Sequence, residues 1–374
     1  MNGLHTPCAV LDEARMMRNI DRLRRHLDGL GVRFRPHLKT TKCLEIARRM
    51  MISPAGPAAV STLAEVRQFA NAGVLDILYA VGIAPGKLDE VVSFRRNGVD
   101  LSVVVDSREQ AQLVARKARQ SGEAIPTLIE IDCDGHRSGV RPNDPLIIQI
   151  GRDLVEGRAE LRGVMTHAGE SYDQPGQEAL IKAADNERSA AVMAARALRE
   201  SGLPCEVVSI GSTPTAHFAR DVRGVTEVRA GVFAFFDLVM AGLGVCTVDD
   251  IALSVLAAVI GHQRDKGWIL VDAGWMAMSR DRGTANQQID QGYGVVCNVH
   301  GTPYEDLIMV QANQEHGILA LRPQSARELP QLPIGTLVRI LPNHACATGA
   351  QHDRYHVVGP DGRVNSQWHR FSGW

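Results

Sequence analysis

The chain has 374 residues, 45% hydrophobic and 22% charged, the balance of an ordinary globular protein with ample material for its own core. Lys and Arg total 41 against 42 Asp and Glu, a formal charge of -1, which argues against a surface built for polyanions. The longest mostly apolar run, 251–260, is far short of the ~20 residues a membrane span needs. The N-terminal stretch carries Asp12, Glu13, Arg15 and Arg18 without an apolar segment, and the seven cysteines form no CxxC pair. Nucleic-acid binding, membrane insertion and a disulfide framework are therefore set aside, and a cytoplasmic location is expected.

In chain order, a lone strand at 8–11 precedes the first helix. Eight β-rich runs follow, at 33–38, 58–62, 76–81, 101–106, 127–132, 161–167, 206–210 and 227–236. Amphipathic helices lie between them, among them 44–51, 64–72, 87–96 and 108–120, and Gly73, Gly98, Gly122 and Gly202 stand where helices end. Strand–helix alternation with short connections predicts an α/β fold, a parallel (β/α)8 (TIM) barrel, with an open doubly wound sheet as the alternative. Beyond 236 the texture changes. Strands at 254–260, 268–271, 336–341 and 356–358 are separated by Gly, Pro and Asp turns, the mark of a mainly β domain. The expected division is a barrel over 12–245 and a β-rich domain of 1–11 with 246–374, to whose sheet the 8–11 strand would add.

Functional residues of a parallel barrel sit where strands end and βα loops begin. The first strand runs out through Arg35-Pro36-His37-Leu38-Lys39. A lysine there can become nucleophilic through burial, or, like Lys42 nearby, can be a surface charge. The fifth ends in Asp132-Cys133-Asp134-Gly135-His136-Arg137-Ser138-Gly139, a loop in which an arginine between glycines could approach a ligand. The sixth ends in Thr166-His167-Ala168-Gly169-Glu170-Ser171-Tyr172. The seventh and eighth supply Gly211-Ser212-Thr213-Pro214-Thr215 and Arg229-Ala230-Gly231-Val232, hydroxyls and free N–H groups where barrels commonly hold phosphate. Two ordinary glycine turns are the plain alternative. In the second domain, His344 and Cys346 are two apart in Pro342-Asn343-His344-Ala345-Cys346. On an extended segment both would point the same way, able to share one ion, zinc by donor type, or to be a buried structural pair.

Together these positions resemble the alanine-racemase-like, fold-type III pyridoxal-phosphate enzymes, and within them the D-serine dehydratase / D-threonine aldolase branch. The markers are 35–39, 166–169, 211–214, Asp272-Ala273-Gly274, Gln314-Glu315-His316-Gly317 and 343–346, spread over nearly the whole chain. The resemblance implies that Lys39 forms the Schiff base with pyridoxal 5'-phosphate. It implies that Gly211, Ser212, Thr213, Gly231 and Val232 hold the phosphate, and that Arg137, His167 and Tyr172 lie beside the ring and substrate. Arg229 would face the pyridine nitrogen, an arginine that some members of the branch lack. His344 and Cys346 would bind Zn2+, or another divalent metal such as Mn2+. A head-to-tail homodimer is implied as well.

The implied reaction is loss of water from a D-3-hydroxy amino acid, D-threo-3-hydroxyaspartate to oxaloacetate or D-serine to pyruvate, with release of ammonia. Lys39 would take the Cα proton and the metal would polarise the β-hydroxyl. Retro-aldol cleavage to glycine and an aldehyde is the alternative. Aldolases of the branch tend to carry a carboxylate where Cys346 stands. A non-catalytic pyridoxal-phosphate carrier is a third reading, opposed by the second domain. His136, Arg137 and Arg280 are candidates for reading a β-carboxylate, and Trp275 and Met276 either shape a pocket or belong to the core.

Overall fold

The computed structural model describes residues 1, 3–173, 176–359 and 361–374. The chain forms two compact units, Met1–Asp21 with Val232–Phe371, and Arg22–Gly231 with Ser372–Trp374. It begins with β1 (Cys8–Asp12), α1 (Glu13–Leu30), β2 (Arg33–Pro36), α2 (Leu44–Met50), β3 (Ala58–Val60), α3 (Leu63–Asn71), β4 (Asp76–Gly82), α4 (Leu88–Arg96) and β5 (Asp100–Val105). Next come α5 (Arg108–Ser121), β6 (Pro126–Ile131), α6 (Leu146–Glu156), β7 (Glu160–Thr166), α7 (Gln177–Glu200), β8 (Val207–Ile210), α8 (Thr213–Phe218) and β9 (Glu227–Ala230). The remainder is α9 (Leu238–Gly242), β10 (Leu253–Gln263), β11 (Trp268–Val271), α10 (Trp275–Met278), β12 (Gly294–Cys297), β13 (Pro303–Ala312), β14 (Gly317–Leu321), β15 (Leu337–Pro342), α11 (Ala345–Gly349), β16 (Arg354–Val358) and β17 (Val364–His369). Among the described residues no helix is long and apolar enough to cross a membrane.

In the unit Arg22–Gly231, eight strands lie in the order β2-β9-β8-β7-β6-β5-β4-β3, every neighbouring pair parallel. A parallel bridge between His37 and Ala59, with Leu38 N donating to Ala59 O at 2.8 Å, joins the first strand to the last. The sheet is a closed barrel, which rules out the open doubly wound alternative. Gly73, Gly98, Gly122 and Gly202 adopt φ of 90°, 83°, 72° and 75°, the left-handed conformation that ends a helix without a Cβ penalty.

Alternation along each strand sends every second residue inward. Ala59, Leu78, Val104, Leu128 and Met165, one each from β3 to β7, pack as a single apolar layer. The interior along β2, β8 and β9 is ionic instead. Arg35 Nε donates to both oxygens of Glu227 at 2.8 and 2.9 Å, and Arg35 Nη1 reaches Asp76 at 2.6 Å. Ser209 Oγ donates to Glu227 at 2.6 Å, and Arg229 donates to Ser209 Oγ and to the Thr166 carbonyl.

The eighth strand ends at Ala230 rather than running to 236 as the apolar pattern suggests. Gly231 breaks it, Val232–Ala234 make a 3-10 turn, and Phe236 takes φ 49°. Phe233, Phe235 and Phe236 are fully buried, so the run is a core-filling turn whose composition imitates a strand.

In the other unit, β10, β15, β12, β13, β14 and β11 pair in succession, and β11 returns to β10, closing an antiparallel ring of six strands. Val255, Ala257 and Val259 of β10 meet Ile269, Val271, Val296, Leu307, Met309, Leu319, Val338 and Ile340 in its core. On the opposite face of β10, Leu256 packs with Cys8, Val10 and Val358. There β1 lies between β10 and β16, so the N-terminal strand does join this sheet.

Glu227 and Arg35 have side-chain exposures of 3% and 9%. Removing the buried carboxylate leaves Arg35 with only the partly exposed Asp76 as ion partner, and Ser209 with no anion, so Glu227→Gln is expected to cost about 3 kcal/mol in urea unfolding. A loss below about 1 kcal/mol would mean the pair is effectively solvated.

Candidate active site

The barrel's C-terminal end gathers the residues expected from the strand ends. Lys39 is exposed, and its ammonium makes no ion pair among the described residues. Lys42, three residues on, has its Nζ 3.1 Å from the fully buried Glu65. Glu65 in turn receives the backbone N–H of Ser61 at 3.1 Å and the hydroxyl of Thr62 at 3.2 Å. The structure thus separates two lysines that sequence could not. Lys42 is committed to a buried carboxylate, whereas Lys39 is free to react.

Around Lys39 the mouth is cationic. His37 is driven well below the ordinary histidine range by burial and by Lys39, Arg229, His167 and Arg137. His167 is pushed down to about 3, by burial first and then by Lys39 and Arg137. Both are therefore neutral. His167 Nδ1 lies 3.0 Å from the Gly211 carbonyl, which can only accept, so Nδ1 carries the proton and Nε2 keeps a lone pair. The Tyr172 ring lies 6.0 Å from that imidazole, tilted by 42°. The Arg137 guanidinium, half exposed, is 3.9 Å from buried Glu130, whose carboxyl is raised chiefly by burial. Arg229 is buried with its donors on Ser209 and Thr166. A site with Lys39, Arg137 and Arg229 at its edge and neutral imidazoles between them suits an anionic ligand.

The segment after β8 opens α8 with a capping box, in which Ser212 Oγ accepts from Thr215 N and Ser212 N donates to Thr215 Oγ1 at 3.0 Å. Thr213 Oγ1 is buried without a partner. A buried hydroxyl left so is costly unless a ligand completes it. Gly211, at φ 136°, has no room for a Cβ, which would stand 2.0 Å from Arg229 O, and a Cβ on Gly231 would meet His37 O at 3.0 Å. These glycines are explained by strand-to-strand approach alone. The observations that fit a phosphate such as that of pyridoxal phosphate are the orphan Thr213 hydroxyl and the cations elsewhere at the barrel mouth. Val232 begins the 3-10 turn of the other unit.

That other unit holds the His–Cys pair, in a geometry different from the expected extended segment. His344 is extended (φ -136°, ψ 108°) as the N-cap of α11, and Cys346 lies in the helix's first turn. The two side chains still interact, because a cap residue and the second helical residue share one end. His344 Nδ1 bonds Asp281 at 2.6 Å, a pattern that fixes a metal-binding imidazole and leaves Nε2 for the ion. Although burial opposes its charge, Asp281 and Cys346 raise His344 to about 11, so a metal must displace a proton to bind. Asp237 receives Ala345 N at 2.9 Å, and Asn343 receives the Thr284 hydroxyl at 2.5 Å while donating to Gly292 O at 2.6 Å. No group of three or more His, Cys, Asp or Glu placed to hold a metal exists among the described residues; two ligands alone would leave the other positions of an ion to water or substrate.

Sequence reasoning missed Asp281, Asp237, Glu130, Glu187 and the role of His37. Asp281 and Asp237 act through partners 63 and 108 residues away, which no local motif announces, whereas Glu130 faces Arg137 in the loop that follows its own strand. Of the other candidates, His136 is paired with Glu170 at 3.0 Å, and Arg280 stacks 4.3 Å over the Trp275 ring. Met276 is 44% exposed, so it is no core residue.

The chain is similar to several known proteins. Residues 11–239 match the alanine racemase N-terminal domain, and residues 252–358 match a putative serine dehydratase domain. The chain is 54% identical, over 99% of its length and 98% of the relative's, to D-threo-3-hydroxyaspartate dehydratase of Delftia sp. strain HT23. The solved structure of that protein superposes with a TM-score of 0.97 over all of this chain and 99% of the other. A cysteine-to-alanine mutant of the same dehydratase has been solved in a metal-free form. D-serine dehydratase of Dictyostelium discoideum is 29% identical over 97% of this chain and 96% of its own. D-threonine aldolase from Filomicrobium marinum matches at 26% identity with a TM-score of 0.81, covering 98% of this chain and 95% of that one.

The buried imidazoles carry a consequence for stability. Between about 3 and the ordinary 6.5, His167 is neutral in the fold while the unfolded chain binds the proton. Stability therefore falls as pH falls through that window and is flat above it. Urea midpoints of the ligand-free chain should drop between about pH 7.5 and about pH 5, on either side of the unfolded histidine value. The drop should shrink in His167→Gln; an unchanged slope would assign the proton uptake to other groups.

Proposed function

Because the chain belongs to the family that joins an alanine racemase N-terminal domain to a serine dehydratase domain, we propose that it is a pyridoxal-phosphate- and metal-dependent dehydratase of D-3-hydroxy amino acids. The preferred substrate is D-threo-3-hydroxyaspartate, converted to oxaloacetate and ammonia, with D-serine to pyruvate and ammonia as a second activity. The observation that carries this reading is the His344–Cys346 pair oriented by Asp281, in a chain whose Lys39 stands unpaired at a strand end. An elimination needs both halves, a base for the Cα proton and help for a poor leaving group. The 54% identity to a dehydratase named for that substrate supports the choice.

Pyridoxal phosphate supplies an aldehyde and an electron-withdrawing ring that delocalises negative charge from Cα. Lys39 would hold it covalently and then, as a free amine, take the Cα proton. Thr213 and the capped turn at Ser212 would hold the phosphate, with the nearby cations balancing its charge. Arg229 is a permanent cation and cannot give up a proton readily, so at the ring nitrogen it would leave that nitrogen unprotonated. A weakened electron sink raises the demand on the leaving-group side. There His344 and Cys346 would hold a divalent ion acting as a Lewis acid on the β-hydroxyl. Imidazole with thiol selects zinc over the harder manganese. Loss of water gives an enamine, whose hydrolysis consumes one water and yields the 2-keto acid and ammonia. We also take the active form to be a head-to-tail homodimer, which sedimentation tests.

Purified protein with pyridoxal phosphate should convert D-threo-3-hydroxyaspartate to a 2-keto acid and ammonia, and a chelator should suppress the conversion. Cys346→Ala should lower that rate at least as far as the ~100-fold that disturbing even an outer partner of a metal ligand can cost, while the cofactor's absorbance is retained. Glycine and an aldehyde as products would assign the chain to the aldolases instead, and full activity in Cys346→Ala would remove the metal from the reading.

A further inference from the structure

Glu187 is completely buried on the barrel-facing side of α7, a face otherwise apolar and built mostly of alanines such as Ala184, Ala190, Ala191 and Ala194. A carboxylate so placed is costly unless its oxygens are fully engaged, and here they are. Oε1 accepts the backbone N–H of Ala168 at 2.9 Å and that of Gly211 at 3.0 Å. Oε2 accepts the Thr215 hydroxyl at 2.7 Å. These three donors come from two separate loops, one after β7 and one after β8. Ala168 follows His167, Gly211 precedes the capped turn, and Thr215 completes that turn's capping box. The bond from His167 Nδ1 to Gly211 O therefore has both its residues hung on one side chain. The hydroxyl that orders Ser212 is tied to the same carboxylate.

From this geometry we propose that Glu187 is a positioning residue that holds His167 in its Nδ1–H tautomer and aims the Ser212–Thr213 turn at the ligand's phosphate. The phosphate half rests on the reading of the barrel mouth as a pyridoxal-phosphate site. The tautomer half does not. Without Glu187, the segments after β7 and β8 lose the group that fixes their separation, and His167 is free to exchange Nδ1–H for Nε2–H. Glutamine keeps an oxygen for the two N–H groups and can turn its amide toward Thr215 Oγ1, so Glu187→Gln should preserve both effects. Leucine fills the space without accepting anything. Aspartate keeps a carboxyl on an arm one methylene too short to reach both loops.

Two measurements test the proposal. In the ligand-free chain, 15N signals of the His167 ring, assigned by their loss in His167→Gln, should show a single tautomer in the native chain and in Glu187→Gln. A mixture is expected in Glu187→Leu, or in Glu187→Asp should the leucine variant not fold. Second, pyridoxal 5'-phosphate and phosphate-free pyridoxal are titrated against each chain. The preference for the phosphorylated form should fall at least about tenfold in the leucine or aspartate variant, the worth of one hydrogen bond to a charged group, and stay within about threefold in Glu187→Gln, which keeps both N–H bonds. A single tautomer together with an unchanged preference in the leucine and aspartate variants would overturn the proposal. So would equal weakening of both ligands, which signals a general loss of structure. Failure of the native chain to bind pyridoxal phosphate would overturn the proposed function, and the 15N signals would still decide whether Glu187 sets the tautomer.

Discussion

Glu227 sits in the barrel interior with an arginine from the neighbouring strand held on both its oxygens, a serine from the strand on its other side, and a second arginine two residues further along its own strand. Parallel barrels ordinarily fill this volume with branched aliphatic layers, and the sector formed by β3 to β7 does so. Along β2, β8 and β9 the chain instead accepts the desolvation cost of several charges. The return is orientation. Arg35 fixes β2 against Asp76 and Glu227, and Ser209, engaged by that same carboxylate, turns the Arg229 guanidinium toward the Thr166 carbonyl. The strand ends that present His37, His167 and Gly211 are thus referenced to one buried anion.

Above that anion the balance of charge reverses. Lys39, Arg137 and Arg229 surround the mouth, and burial, reinforced by their field, strips the protons from two histidines. In the second unit the logic runs the other way. Asp281 and the Cys346 side chain draw a proton onto His344. The same residue type is a lone-pair donor in one place and a proton holder in the other, because one is buried among cations and the other is held by acids that outweigh its burial.

Much of the fold was legible because the barrel's local signals agree with each other. Short strands of three to seven residues alternate with amphipathic helices, and the left-handed glycines at 73, 98, 122 and 202 mark the stops. Legibility failed where composition and conformation part. The aromatic run after Gly231 has strand-like residues but is a turn buried on all sides, where apolar content says nothing of period. Strands β12, β13, β14 and β17 were not anticipated. β13 reads Pro-Tyr-Glu-Asp before its apolar residues, and β17, at the sheet edge, reads Val-Asn-Ser-Gln-Trp-His; exposed edges take polar residues that blur alternation. At the site, residues on strand ends could be found from position. The carboxylates behind them could not, since Glu187 reads as one more charge on a long helix and Asp281 as a loop acid. The His344–Cys346 pair was found from spacing, though its convergence comes from a helix cap and not from an extended strand.

The place of β1 has a consequence for how the protein comes into being. This first strand is hydrogen-bonded on one side to β10 and on the other to β16, near the opposite end of the chain. During synthesis it emerges long before either partner, and the whole set of barrel strands is made while it waits. The barrel can close on contacts within its own contiguous stretch, whereas the sheet containing β1 cannot be finished until β16 has been made. Until then β1, CAVLD, presents an unpaired apolar edge. Biogenesis of this chain is consequently ordered, barrel first and sheet last. The interval between the two is when a nascent chain is most exposed to pairing with a neighbour's strand.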